Sequence, residues 1–171
     1  WKINEKPETW SIKDDALWAH GVRSHIFYTG PENNFTNFEF HAEVLTHTNS
    51  NGGIFIHTKF QEDGWPVKGF ECQVNNTFVK DPIKTASVYK IKNILDAPAK
   101  DNEWFNYDII VKGKTITIKI NDKVVNEYTE PAGKTADKNM QNILDSGTFA
   151  LQGHDPGSVV GYRNIRVKRL P

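Results

Sequence analysis

Titratable and amide side chains stand at alternate positions in several short apolar segments of the sequence. Glu71 and Gln73 alternate with apolar residues, and Gln152 and His154 do so farther along the chain. Side chains of a β-strand point alternately to its two faces, so these groups would lie opposite the hydrophobic core. A carboxyl group, an imidazole and two amides on one face could transfer protons and hydrogen-bond a polar ligand.

The candidate catalytic residues are those that can give or accept a proton, namely Glu71, His154 and His57. His57 is included because its strand neighbours are apolar and a lone histidine there has no evident structural task. The candidate ligand-binding residues can form hydrogen bonds or stack on a ring: Gln73, Gln152, Trp65, Tyr89, Lys59, Asp155 and Arg163. Two alternatives stay open, because His154 with Asp155 could simply form a turn and Trp65 could anchor a loop.

The remaining histidines and the single cysteine indicate structural roles. His20, His25, His41 and His47 are scattered, and Cys72 alternates with apolar residues, which is typical of a buried side chain. A metal site formed by His57 and His154 stays open as an alternative, but no spacing typical of metal ligands supports it, so we expect no metal ion and no cofactor.

Composition excludes several classes of function. The chain has 171 residues, and its 21 basic residues balance 21 acidic ones without forming a basic stripe, which argues against nucleic-acid binding. No apolar run approaches the ~20 residues of a membrane-spanning helix. We therefore expect one domain over residues 1–171, with a core that needs no disulfide. The start at Trp1 is read as a trimmed chain that has lost a targeting segment.

Apolar residues recur mostly at a spacing of two, which predicts an all-β fold with many short strands. The predicted strands are 17–19, 26–28, 38–45, 53–58, 70–74, 87–91, 104–112, 115–120, 123–128, 148–152 and 162–168. One short helix is predicted over 138–144. This pattern favours a β-sandwich or jelly roll.

Several stretches, in this order, resemble the 3-keto-disaccharide hydrolase family. They are residues 51–58, 69–74, 84–89, 103–104, 150–158 and 162–168, and the resemblance runs from about Trp1 to Leu170. It implies a jelly-roll β-sandwich of the concanavalin-like lectin/glucanase type and a periplasmic or secreted location. It also implies a carbohydrate substrate oxidised to a ketone at C3.

Such a substrate suits a strand that carries one acid. A C3 ketone acidifies the hydrogen on C2, so one base can start an elimination that expels the group on C1, and water can then add to the enone. An ordinary glycosidase needs two carboxylates, and the second would be Glu43 or Asp155. A carbohydrate-binding module without catalysis is the other alternative.

Overall fold

Two antiparallel β-sheets pack face to face in the structure, a computed structural model that describes residues 1–136 and 141–171. The smaller sheet contains, in spatial order, β1 (Lys2–Ile3), β4 (Ser24–Phe27), β11 (Thr148–Gly153), β6 (Gly52–Thr58) and β7 (Phe70–Val74). The larger sheet contains β10 (Lys123–Thr129), β9 (Thr115–Ile120), β8 (Phe105–Lys112), β5 (Phe38–Thr46), β12 (Val159–Arg169), β3 (Ala16–His20) and β2 (Trp10–Lys13). A 3₁₀-helix at Pro7–Thr9 is the helical element of the described residues.

The core lies between the sheets and takes every second residue of the central strands. In β5 the buried and half-buried residues alternate over the whole strand. Phe149 of β11 crosses the interface, with its ring centroid 4.9 Å from that of Phe38 and 5.0 Å from that of Phe40. Aromatic contacts of this kind hold the two sheets at a fixed separation. The opposite residues of the smaller sheet are therefore free to form a site.

A second, smaller apolar cluster covers the middle of the outer face of the smaller sheet. Phe27, Phe55 and Ala150 lie side by side on neighbouring strands, and Phe60 packs against them. Phe55 therefore points away from the core between the sheets. This outer apolar cluster divides the face into two regions, each of which contains a cavity.

The all-β prediction is confirmed, and most predicted strands lie within one or two residues of observed ones. Strand 87–91 is wrong, because Ala86 and Lys90 adopt positive φ and interrupt the extended backbone. The short strands β1 and β2 were missed. Within the predicted helix 138–144, residues 138–140 lie outside the described residues, and 141–144 are not helical. No helix in the described ranges has the length and apolar character needed to cross a membrane.

A β-bulge in β6 turns His57 to the opposite face from the one predicted. Thr58 pairs with Thr148 and Phe55 with Ala150, so two residues of β6 oppose one residue of β11. His57 has φ 51°, and its ring packs 5.6 Å from that of Phe38 in the core. A bulge breaks the alternation of side chains, which is why the period of two misplaces this histidine.

Gly147→Ala tests how tightly this bulge is packed. A Cβ at Gly147 would lie 2.5 Å from the carbonyl oxygens of both His57 and Thr58, and backbone atoms cannot move aside as a side chain can. We expect the free energy of unfolding in guanidinium to fall by about 1–3 kcal/mol, as for other overpacked sites. Gly157→Ala is the control, because a side-chain oxygen at 3.2 Å is its nearest neighbour. Equal stability of both variants would show that the bulge is not tightly constrained.

Candidate functional site

A cavity of about 310 Å³ opens on the outer face of the smaller sheet, on one side of the outer apolar cluster. Its floor is formed by β6, β7 and β11, and its walls are formed by loops. The lining residues combine carboxyl, amide, imidazole, ammonium and aromatic groups: Asn51, Phe55, Trp65, Pro66, Val67, Glu71, Gln73, Asp81, Tyr89, Lys90, Gln152 and His154. This mixture suits a small polar ligand that also has an apolar surface.

Glu71 stands on the floor of this cavity. The side-chain amide of Gln152 donates a hydrogen bond to Glu71 Oε1 over 3.0 Å. Burial raises the pKa of Glu71 to about 8, and the nearby Asp81 carboxylate acts in the same direction. The carboxyl group is therefore largely protonated at neutral pH, and its conjugate base is stronger than that of an ordinary glutamate.

Gly53 makes room for the Glu71 carboxyl. A Cβ at Gly53 would lie 2.7 Å from Glu71 Oε1, so a larger residue would displace the group. The neighbouring Gln73 accepts a hydrogen bond from the Val74 N–H through Oε1, over 3.1 Å. That bond fixes the Gln73 amide and leaves its NH₂ group as the end that can donate to a ligand.

An irregular segment beside β7 brings further polar groups to the cavity. Tyr89 N–H donates to the Glu71 carbonyl, and the backbone groups of Gln73 bond to those of Ala86 and Ser87. Tyr89 then reaches over the cavity and donates its hydroxyl to Asp81 Oδ2 over 2.8 Å. Burial and this carboxylate raise the pKa of Tyr89, so the phenol stays protonated and orients Asp81.

His154 follows the last residue of β11 and is held by its neighbour. Its Nδ1 lies 2.9 Å from Asp155 Oδ2, which leaves Nε2 as the ring nitrogen open to a ligand. Burial acts to raise the pKa of Asp155, but hydrogen bonds from Ser158 and His154 outweigh it and the pKa is lowered. Asp155 is therefore a carboxylate that also accepts the Gly157 N–H and closes the turn. The segment therefore forms the turn of the alternative interpretation, and His154 lines the cavity.

Trp65 forms the rim of the cavity and is 42% exposed. Its ring centroid lies 5.3 Å from that of His154 and 5.5 Å from that of His25, which lies beneath it. The Gln61 amide bonds the Asp63 and Trp65 carbonyls and thereby holds the loop that carries the indole. Contacts within the protein therefore hold the indole in place without a ligand.

Six of the predicted site residues meet in this cavity, and four do not line it. Those that meet are Glu71, Gln73, Gln152, His154, Trp65 and Tyr89. Asp155 stands just behind His154. The expected placement of His57, Lys59 and Arg163 in the same groove is wrong. His57 is buried in the core side of β6 and its Nε2 lies 2.9 Å from the Thr36 carbonyl.

Lys59 and Arg163 lie elsewhere for different reasons. Lys59 follows the bulge and lines a separate cavity. Arg163 belongs to the larger sheet, where it donates to Glu43 Oε2 over 2.7 Å and its guanidinium lies 4.1 Å from the Trp104 ring centroid. Glu43, a proposed second acid, is therefore also outside the cavity.

Asn51, Asp81 and Lys90 line the cavity from loops and were not predicted. Asp81 could have been predicted as the second acid of a glycosidase, because it stands in an Asp-Pro turn just before the segment with Tyr89. His25 was interpreted as structural, and it lies buried on the same sheet face, where burial lowers its pKa to about 3. Within residues 1–136 and 141–171, no group of three or more histidine, cysteine or acidic side chains could hold a metal ion.

Glu71→Gln replaces the carboxyl with a neutral group of the same shape and tests the effect of burial. Because the pKa is raised from 4.5 to about 8, the folded state keeps a proton that the unfolded state releases across that window. The free energy of unfolding should therefore fall as pH rises, and the variant should gain stability relative to wild type. The measurement is guanidinium unfolding at about pH 5, 7 and 9.

Glu43→Gln is the matched control, with the opposite sign. Hydrogen bonds from Asn164 and Arg163 lower the pKa of Glu43, so its contribution is present above the ordinary pKa and is lost as pH falls. That variant should be less stable than wild type at neutral pH, and the difference should shrink in acid. A Glu71→Gln protein whose stability relative to wild type does not increase between about pH 5 and 9 would contradict the assignment of a raised pKa.

Comparison with known proteins gives the same fold. Two proteins named putative glycosyl hydrolase from Parabacteroides distasonis ATCC 8503 superpose with TM-scores of 0.76 and 0.79 at 22% and 19% identity. The alignments cover 98% and 95% of this chain and 93% and 84% of those chains. The carbohydrate-binding module CBM66 from Bacillus subtilis gives a TM-score of 0.66 at 12% identity and covers 94% of this chain and 91% of its own. The jelly-roll β-sandwich of the concanavalin-like lectin/glucanase type is thereby confirmed.

The family comparison covers nearly the whole chain. No curated protein matches the sequence. A domain described as 3-keto-alpha-glucoside-1,2-lyase-like matches residues 1–168, which confirms the resemblance drawn from the sequence and indicates a glycosidase-like or lyase-like role. The chain belongs to the family of 3-keto-alpha-glucoside-1,2-lyase-like domains.

Proposed function

We propose that this protein cleaves glycosides whose sugar carries a ketone at C3, by removal of the C2 proton and elimination of the C1 substituent. The observation that carries this proposal is the Glu71 carboxyl on the cavity floor, with a pKa raised to about 8 and a hydrogen bond from Gln152. A base with a pKa near the working pH combines a usable ionised fraction with strong proton affinity. Family membership supports the same chemistry.

The first step needs a base beside C2. Ionised Glu71 would accept the C2 proton while the C2–H electron pair forms a C2=C3 double bond and leaves the negative charge on O3. The Gln73 NH₂ group and the Lys90 ammonium group, which both line the cavity, are available to donate hydrogen bonds to that oxygen. Such donors stabilise the charge that develops in the transition state.

The second step breaks the bond between C1 and its oxygen. The enolate collapses to a ketone, a C1=C2 double bond forms, and the bonding pair leaves with the C1 oxygen. His154 Nε2 would protonate this leaving oxygen, because Asp155 holds the imidazole through Nδ1. Gln152 acts as a positioning residue, since its NH₂ group is already bonded to Glu71. Addition of water across the double bond would complete a hydrolysis.

Ordinary glycoside hydrolysis is the alternative reaction, and it needs two carboxylates with separate roles. Asp81 is the second acid of the cavity, and its Oδ2 accepts the hydrogen bond from Tyr89. We assign Asp81 the task of holding the Tyr89 hydroxyl against the cavity. Turnover of unoxidised glycosides separates the two mechanisms.

Glu71→Gln should reduce kcat with 3-keto glucosides by about 10²–10⁴-fold, the usual contribution of a general base. KM should change little, because the amide keeps the shape and the bond with Gln152 is still available. Deuterium at C2 should slow the wild-type reaction, and kcat/KM should rise with pH toward a pKa of about 8 in the free protein. Stopped assays of the released aglycone provide the measurement.

The control for this experiment is Glu43→Gln, which removes a carboxyl on the other sheet and should retain full activity. Unoxidised 4-nitrophenyl glucoside should not be consumed by either protein. Comparable hydrolysis of that compound would overturn the proposal and favour the two-carboxylate glycosidase. An unchanged rate in Glu71→Gln would also overturn it, because Glu71 would then not be the base.

A carbohydrate-binding module is the second candidate, and the exposed indole of Trp65 on a pre-formed rim favours it. Trp65→Ala should weaken sugar binding in calorimetry by about tenfold under either function, since stacking contributes on the order of 1 kcal/mol. Trp1→Ala is the control, with an indole that is 50% exposed but outside the cavity. Binding of the 3-keto sugar with no product formed would establish the binding module as the function.

The periplasmic or secreted location implied by the family resemblance is part of this proposal. A 3-keto glycoside arriving from outside the cell would meet the protein there. Fractionation of cells that express the native protein tests this point, and its recovery in the cytoplasmic fraction would contradict it.

A further inference from the structure

The outer face of the smaller sheet contains a second cavity, on the other side of the outer apolar cluster. Its volume is about 320 Å³, close to that of the first cavity. Its lining consists of hydroxyl, amide, ammonium and aromatic groups: Tyr28, Thr29, Asn33, Asn34, Thr58, Lys59, Phe60, Lys68, Ser146, Gly147 and Thr148. None of these residues belongs to the cavity that contains Glu71.

The buried hydroxyl of Thr58 lacks a partner. Thr58 is 1% exposed and lines the cavity, and its Oγ1 forms no hydrogen bond with any described residue. The equivalent hydroxyl of Thr148, its neighbour across the sheet, donates to the Tyr28 carbonyl over 2.6 Å. A buried polar group without a partner is unfavourable, so its presence at a cavity wall indicates a bond that is made to a ligand.

Two ammonium groups line the second cavity, and no described lining residue carries a carboxylate. Lys68 is paired with Asp145 and also donates to the Ser146 carbonyl, so the unpaired positive charge among the described lining residues is that of Lys59. Lys59 is exposed and forms no ion pair with the described residues.

The side chains that line the cavity favour a carbohydrate over a small inorganic anion. Tyr28 and Phe60 contribute aromatic surface to the cavity, although the Lys2 ammonium covers one face of the Phe60 ring, and the apolar face of a sugar ring can pack against such surface. The amides of Asn33 and Asn34 and several hydroxyls supply the donors and acceptors that ring hydroxyls need. Thr58 lies three residues from Phe55, which lines the first cavity, so both cavities border the same outer apolar cluster.

We propose that this second cavity binds an acidic sugar residue, a hexuronate, with its carboxylate at Lys59 and a ring hydroxyl at Thr58. The site is separate from the proposed cleavage reaction and does not depend on it. A glycan with an acidic unit would then be held by the protein at a point away from the bond that is cleaved.

Titration of ¹⁵N-labelled protein with sodium glucuronate tests this proposal, with glucose and sodium sulfate as separate titrants at constant ionic strength. We expect glucuronate to shift the amide signals of Thr58, Gly147 and Thr148. It should bind at least tenfold more tightly than glucose or sulfate, because only glucuronate provides both the charge and the ring. Glucose or sulfate binding as tightly as glucuronate would overturn the proposal, as would the absence of shifts at these residues.

Two variants separate the ligand from the fold. Lys59→Met keeps the aliphatic stem and should weaken glucuronate binding roughly tenfold, which matches the loss of one charge-assisted bond. Thr58→Val should weaken binding while the melting temperature stays equal or rises, since the hydroxyl it removes has no hydrogen-bond partner among the described residues. A structural role of that hydroxyl would instead lower the melting temperature.

Control variants complete the experiment. Lys112→Met removes an exposed ammonium at the end of β8, which is not part of the cavity lining, and should leave glucuronate binding unchanged. Glu71→Gln should also keep the glucuronate shifts, so that failure of the cleavage mechanism and failure of this site can be told apart. Unchanged affinity in Lys59→Met, or equal losses in Lys59→Met and Lys112→Met, would contradict the proposal.

Discussion

The packing of the two sheets is the constraint on which the rest of the structure depends. Where the strands of the smaller sheet are regular, they place every second side chain against the larger sheet, and there Phe149 meets Phe38 and Phe40. The residues between them do not pack in the core, so these positions can hold polar side chains. Glu71 and Gln73 occupy two such positions of β7, and Gln152 occupies one of β11. The chemistry of the cavity is thus set by the residues that the core does not use.

The alternation of β-strands explains which parts of the site could be predicted. Glu71, Gln73 and Gln152 were placed correctly on one face because β7 and β11 are regular where these residues stand. The same argument failed for His57, since the bulge in β6 adds one residue and reverses the side chain. No feature of the sequence near His57 marks the bulge, because the neighbours that admit it, Gly69 and Gly147, are distant along the chain.

Loop residues were harder to predict than strand residues for a related reason. Lys90 reaches the cavity from a turn in which it adopts positive φ, and Asp81 is held there by its side-chain bond with Tyr89. Neither depends on a periodic pattern. The assignment of Arg163 failed because a period of two identifies the face of a strand, but not the sheet to which that strand belongs. The fold class, by contrast, follows from the average pattern and tolerates such local errors.

The segment that carries Tyr89 also protects the free edge of β7, the last strand of the smaller sheet. Its backbone satisfies N–H and C=O groups of Glu71 and Gln73 that another chain could otherwise pair with. Redesign of the cavity by shortening this segment would therefore uncover a strand edge and promote aggregation. Substitution of single side chains is the safer route to altered selectivity, because the wall of the cavity and the solubility of the protein depend on the same stretch of backbone.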